Sequence, residues 1–140
     1  MNKIKNIKKI KLLIFKNNKG NVLRAFRKQE DKIGKFGEVY LSWINKKAIK
    51  GWKYHKRMHM NLVVPVGLVK FVFYEDKKFK EIIIGEKKYH RIYVPNRIYF
   101  AFQNLSKQKS LVINYSNIIH QNKNETLNKN LKEINYQWKK

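Results

Sequence analysis

Short runs rich in Ile, Val, Phe and Tyr recur along the chain about every eight to twelve residues, each bounded by polar turn residues. That is the rhythm of an all-β sandwich or barrel. Lys11–Phe15 and Val22–Phe26 flank Lys16-Asn17-Asn18-Lys19-Gly20, a hairpin loop closing on glycine. The spacing predicts further strands over Glu38–Ile44, Ile49–Tyr54 and His59–Val66. Gly67 separates Val66 from a run over Leu68–Tyr74, and Glu75-Asp76-Lys77-Lys78 turns the chain into Phe79–Ile84. Gly85-Glu86-Lys87-Lys88 leads to Tyr89–Val94, Pro95-Asn96 breaks that run before Ile98–Phe102, and Leu111–Tyr115 closes the series. No stretch before residue 120 keeps a 3.6-residue apolar period long enough for a helix.

The polar segment His120 to Lys132 reads as loop or short helix. Beyond it Ile134, Tyr136 and Trp138 alternate with Asn135 and Gln137, which predicts a terminal strand over 134–138. With no internal repeat and no Pro/Gly/Ser linker, the expectation is one domain over 1–140, its core about residues 10–119, built as two wound sheets or a flattened barrel.

Composition narrows the classes. The absence of cysteine excludes a disulfide scaffold, thiolate zinc sites and cysteine catalysis, and fits a reducing cytoplasm. No apolar run is long enough to span a membrane, and the basic start Met1 to Lys11 lacks the apolar region of a secretory signal. The chain carries 33 Lys and Arg against nine acids, a net charge of +24. Such an excess is the electrostatic footprint of a polyanion binder, so a basic nucleic-acid-binding protein is one alternative. Against it, only Arg24, Arg27, Arg57, Arg91 and Arg97 are arginine, the lysines are spread over both ends and most turns, and no helix-turn-helix or RNA-binding pattern accompanies them.

Candidate chemistry concentrates in Lys50 to Asn61. Read as extended chain, alternate side chains share a face, so Lys53, His55, Arg57, His59 and Asn61 form one row, and Trp52, Tyr54, Met58 and Met60 the other. The segment runs into Leu62-Val63-Val64, which belongs to the core. A row of cations and imidazoles at the mouth of a barrel suits a small anionic ligand. The competing reading is a solvated edge strand with its apolar side inward.

Three stretches resemble the cupin superfamily: Gly51-Trp52 with His55, Asn61-Leu62-Val63-Val64-Pro65-Val66-Gly67, and Val94-Pro95 followed by Phe100-Ala101-Phe102-Gln103-Asn104-Leu105-Ser106. More narrowly they resemble the dTDP-4-dehydrorhamnose 3,5-epimerase family and its short relatives in polysaccharide clusters. Lys19 to Arg24, Gly37 to Tyr40 and Ile134 to Trp138 extend the resemblance over roughly residues 10 to 138. It implies an RmlC-like jelly roll (a double-stranded β-helix), a homodimer, and a cytoplasmic protein acting in deoxysugar and cell-surface polysaccharide (lipopolysaccharide) synthesis.

The resemblance also implies roles. The positions where cupins hold a metal fall on Lys53, His55, Met60 and Phe100, which predicts no metal, and no cofactor is expected. The epimerases remove a proton α to the C4 keto group of a nucleotide-linked deoxysugar with a base and return it with an acid. The family's base position falls on Lys53, its acid at Ile113 with Tyr115 two residues beyond, and its phosphate-binding Arg on Lys50. The expected catalytic group is therefore Lys53, His55 and Tyr115. A lysine crowded by Lys50, His55 and Arg57 and partly out of water gives up its proton more readily, which makes Lys53 a candidate base. Lys50 and Arg57 are expected at the diphosphate, with His59, Asn61, Tyr99 and Gln103 as further binding candidates. The alternative on the same pocket is a catalytically silent cupin that binds the sugar nucleotide without turnover.

Overall fold

The computed structural model describes residues 2–120 and 125–139. Its strands are β1 (Lys8–Lys11), β2 (Ile14–Phe15), β3 (Val22–Leu23), β4 (Glu38–Ile44), β5 (Ile49–His55), β6 (Met60–Val66), β7 (Leu68–Glu75), β8 (Lys78–Gly85), β9 (His90–Val94), β10 (Tyr99–Asn104), β11 (Ser110–Ser116) and β12 (Thr126–Asn128). Two short 3-10 turns, Ile4–Asn6 and Leu131–Glu133, complete the described elements. The strands form two five-stranded antiparallel sheets, β1-β9-β6-β11-β4 and β12-β5-β10-β7-β8, with β2-β3 as a separate small hairpin. The jelly roll expected from the sequence is the observed architecture.

The core lies between the sheets because each strand turns alternate side chains inward. Leu62, Val64, Ile92, Val94 and Val112 from the first sheet meet Val69, Phe71, Phe73, Ile82, Ile84 and Phe100 from the second. Each such burial stabilises by about 1.5–3 kcal/mol, so the sandwich rests mainly on this layer. Two glycines allow close approach. Gly67 reverses the chain between β6 and β7 at φ 90°, against Ser110. At Gly51 a Cβ would lie 2.2 Å from the Ala101 Cβ, so only glycine lets β5 run this close to β10.

Carboxylates sit at joints between elements. Glu75 accepts from the backbone N–H of Ile4 at 2.9 Å, Glu125 from those of Arg57 and Met58 at 2.7 and 2.8 Å, and Glu133 from that of Asn130 at 2.7 Å. Glu30 pairs with Arg91, whose side chain is wholly buried and also donates to Asn61. Glu38 accepts the hydroxyl of Tyr40, and Glu81 that of Tyr136.

The strand expected over 134–138 does not form. These residues lie across the outer face of the second sheet: Ile134 is buried with Trp52, Val72 and Ala101, and the Trp138 ring stands 5.8 Å from Trp52. The edge beyond β5, where such a strand would add, is taken by β12. β12 itself falls inside the stretch read as loop or short helix, and Gln121 to Asn124 of that stretch lie outside the described residues. β1 escapes a sequence reading because Lys8-Lys9-Ile10-Lys11 has no apolar alternation.

Candidate functional site

Cross-strand registers decide which side chains reach the interior. On β4, Tyr40 opposes Asn114 and Glu38 opposes Ser116, while on β6 Leu62 opposes Asn114 and Met60 opposes Ser116. Opposed residues share a face, and Leu62 and Met60 are core, so Glu38, Tyr40 and Asn114 point inward. On the second sheet Lys53 opposes Phe100, another core residue, which turns Lys53 and His55 inward too. The pairing slips between Phe100 and Phe102, where β5 carries one extra residue, so Lys50 opposes Phe102 and joins the same side.

All of these but Lys50, which lies by Trp43 at the far end of β4, gather at one end of the barrel. His55 is 8% exposed, its ring 5.5 Å from Phe100 and 6.3 Å from His120. Its Nδ1 lies 2.9 Å from the Thr126 hydroxyl, and the same hydroxyl lies 3.0 Å from Nε2 of His120. The His120 backbone N–H donates to Glu38 at 2.7 Å, and its ring meets Tyr40 edge-on at 6.4 Å. Asn114 leaves its side-chain oxygen buried with no hydrogen-bond partner among the described residues. A sugar hydroxyl is the kind of donor that would satisfy it.

The electrostatics set which of these groups carry a charge. Burial, helped by His120 and Lys53, pushes the His55 imidazole down to about 4, so it is neutral at physiological pH. Burial and the hydrogen bond to Glu38 push the Tyr40 phenol up to about 12, leaving it a neutral donor. The Tyr40 hydroxyl and the His120 N–H hold Glu38 below the usual carboxylate range. A neutral base and a neutral acid thus face the interior from opposite sheets.

The sequence matches the FdtA family (WxcM-like, C-terminal) over residues 3–131. The chain belongs to that family. No curated protein matches it in sequence. Among solved structures, a dTDP sugar isomerase from Desulfovibrio desulfuricans superposes with a TM-score of 0.88 at 24% identity, covering 94% of this chain and 90% of that one. The 3'-monoepimerase ChmJ from Streptomyces bikiniensis, in complex with dTDP-quinovose, gives 0.81 at 13% identity over 94% and 74%. The sugar 3,4-ketoisomerase QdtA from Thermoanaerobacterium thermosaccharolyticum, in complex with TDP, gives 0.71 at 17% over 87% of each chain. At these identities the likeness carries the fold, and the fold is the RmlC-like cupin.

Within this FdtA-family chain the expected site divides. The row Lys53, His55, Arg57, His59 and Asn61 is not one face, because β5 ends at His55 and the turn through Lys56 to His59 resets the alternation before β6. Lys53 and His55 stay inside; Lys53 is exposed at the mouth, so the expectation that it sits partly out of water is corrected. Lys50 is exposed and donates to the Trp43 carbonyl at 2.9 Å. Arg57 projects from the turn, 70% exposed, and pairs with Glu125 at 3.1 Å. Asn61 faces outward and is held by Arg91 and by the Lys32 carbonyl, while His59 stacks on Tyr93 and bonds its hydroxyl at 2.8 Å.

Tyr115 also faces outward, against Phe26 at 5.1 Å and Phe36 at 5.5 Å, so it does not join the catalytic group. Tyr99 and Gln103 belong to the outer face of the second sheet, Tyr99 packed with the Trp52 cluster and Gln103 donating to the Lys139 carbonyl. The cupin metal positions Lys53, Met60 and Phe100 offer no ligand beside His55, and the residues do not fit a metal centre. Among the described residues no group of three His, Asp or Glu side chains is placed to hold a metal ion. Tyr40, Asn114, Thr126 and His120 were missed in the sequence; the alternation of Glu38, Tyr40 and Ser42 with Val39, Leu41 and Trp43 was the available signal, without saying which row turns inward.

Proposed function

We propose that the chain is a nucleotide-sugar isomerase or epimerase that transfers a proton α to the keto group of a dTDP-linked 4-keto deoxysugar. The observation that carries this is the buried, neutral His55 turned into the barrel opposite the Tyr40 phenol. Nε2 of His55 makes no hydrogen bond among the described residues and takes the proton from the carbon next to the carbonyl. Tyr40, whose one proton goes to Glu38 in the free protein, turns it to the carbonyl oxygen as the enediolate forms; reprotonation at the neighbouring carbon then moves the keto group, or on the opposite face inverts the carbon. Lys53 supplies positive charge at the mouth for the diphosphate, a point charge and not the bidentate fork of an arginine. The solved structures of like fold, a dTDP sugar isomerase, a 3'-monoepimerase bound to dTDP-quinovose and a sugar 3,4-ketoisomerase bound to TDP, support the substrate class.

The same reading places the protein in the cytoplasm, in deoxysugar supply for cell-surface polysaccharide, as a homodimer. For the dimer the support is the outer face of the first sheet at β4, where Val39, Leu41 and Trp43 are 41%, 63% and 46% exposed in a row. Leu41→Asp is expected to yield monomer in sedimentation analysis, and a monomeric wild type would refute the dimer. For the activity, deuterium from solvent should enter one or more of a panel of 4-keto dTDP sugars. If no deuterium enters while dTDP raises the melting temperature, the protein is a sugar-nucleotide binder without turnover.

A further inference from the structure

His55 has a difficulty that its surroundings answer. A group buried this deeply, beside Lys53 and His120, accepts a proton reluctantly. Glu125, just before β12, is the nearby carboxylate, but its oxygens are taken by the N–H groups of Arg57 and Met58 and by the Arg57 guanidinium. Glu38 and Tyr40, across the barrel, bond one another and the His120 backbone. Of these only Glu125 favours a charge on His55, and burial, His120 and Lys53 outweigh it, so it cannot relieve that charge. The Thr126 hydroxyl can, because it touches both imidazoles and one of them is exposed.

We propose that His55, Thr126 and His120 form a proton relay that carries the abstracted proton's charge from the barrel interior to the surface, with Thr126 and His120 as positioning residues for the reaction. A hydroxyl has one proton to donate. Between two imidazole nitrogens it donates to one and accepts from the other, so the two rings are forced into complementary states. With His120 neutral and its Nε2 accepting from Thr126, Nδ1 of His55 must carry the hydrogen and donate to Oγ1. Nε2 of His55 is then the free lone pair that faces the substrate.

When Nε2 takes the substrate proton, the Nδ1 proton passes to Oγ1 and the Oγ1 proton passes to Nε2 of His120. His55 ends neutral with its hydrogen on Nε2, and His120 ends as an imidazolium at the edge of the solvent. The positive charge never has to rest in the interior, and the reverse sequence delivers the proton back to the sugar. Conversely, an imidazolium at His120 before substrate arrives locks His55 with hydrogen on Nε2, unable to act as base.

The inference rests on the proposed function for its catalytic meaning, yet its coupling is readable without substrate. In 15N-labelled protein, His55 should carry its hydrogen on Nδ1 at pH 8 and shift it to Nε2 as His120 titrates. Thr126→Val should abolish that coupling, and Thr126→Ser should restore it. In turnover, Thr126→Val should lower kcat at least tenfold with KM little changed and move the acidic limb of kcat downward. Independent titration of the two rings, or an Nε2-hydrogen His55 at pH 8, overturns the relay. Coupled titration in a protein that exchanges no sugar proton keeps the relay and overturns the catalytic function instead.

Discussion

His55 and His59 stand four residues apart, each in contact with a hydroxyl, and they end in opposite compartments. His55 closes β5, points between the sheets, and shares the Thr126 hydroxyl with a second imidazole. His59 precedes β6, lies outside the first sheet, and is fixed by the Tyr93 hydroxyl and ring. Burial pushes both imidazoles below their ordinary range, helped in His59 by Lys3 and Lys32 and in His55 by His120 and Lys53. The lowered proton affinity is therefore common to both sites and does not mark the reactive one. What separates them is what the other ring nitrogen can reach.

The sharpest way to break this contrast is a pair of substitutions. His55→Asn is expected to lower kcat by about 10²- to 10⁴-fold, the usual range for a general base. His59→Asn should leave kcat within about threefold and cost roughly 1 kcal/mol of stability, the worth of one hydrogen bond. Chemical denaturation and steady-state rates on the same two proteins check both halves, and equal rate losses would erase the distinction.

Next in size is the pH dependence of stability. The unfolded chain protonates histidine near 6.5, whereas folded His55 does so at about 4. Between those values the unfolded chain binds more protons, so stability rises with pH, is complete above the upper value, and is lost as pH falls towards the lower. The loss attributable to His55 is on the order of 3 kcal/mol, and His55→Asn should flatten the curve measured by denaturation between pH 4.5 and 7.5. The third test is Tyr40→Phe, expected to reduce kcat roughly 10- to 100-fold, against no change for Tyr115→Phe, since Tyr115 packs outside.

The strand series and the jelly roll were legible because period-two alternation and turn residues survive in β4 to β11. His55 and Lys53 were legible as a pair for the same reason. The error began where alternation was carried through Lys56 to His59, a turn whose Glu125 anchor comes from nearly seventy residues later in the chain. No local pattern reports such a contact. β12 and Thr126 were hidden likewise: three residues of edge strand, exposed or half-buried, carry no apolar signature. The aromatic alternation at 134–138 was real but satisfied by covering Trp52, not by joining a ladder.

Six of the nine acids, Glu30, Glu38, Glu75, Glu81, Glu125 and Glu133, are engaged in bonds that join separate segments or cap a turn. Few negative charges are left to interleave with the lysines, and only two ion pairs are present among the described residues. In dilute buffer such a molecule behaves as a compact polycation whose like charges push outward on every element. Dissolved electrolyte shortens the reach of that repulsion. The fold should consequently tighten, not loosen, as ionic strength rises.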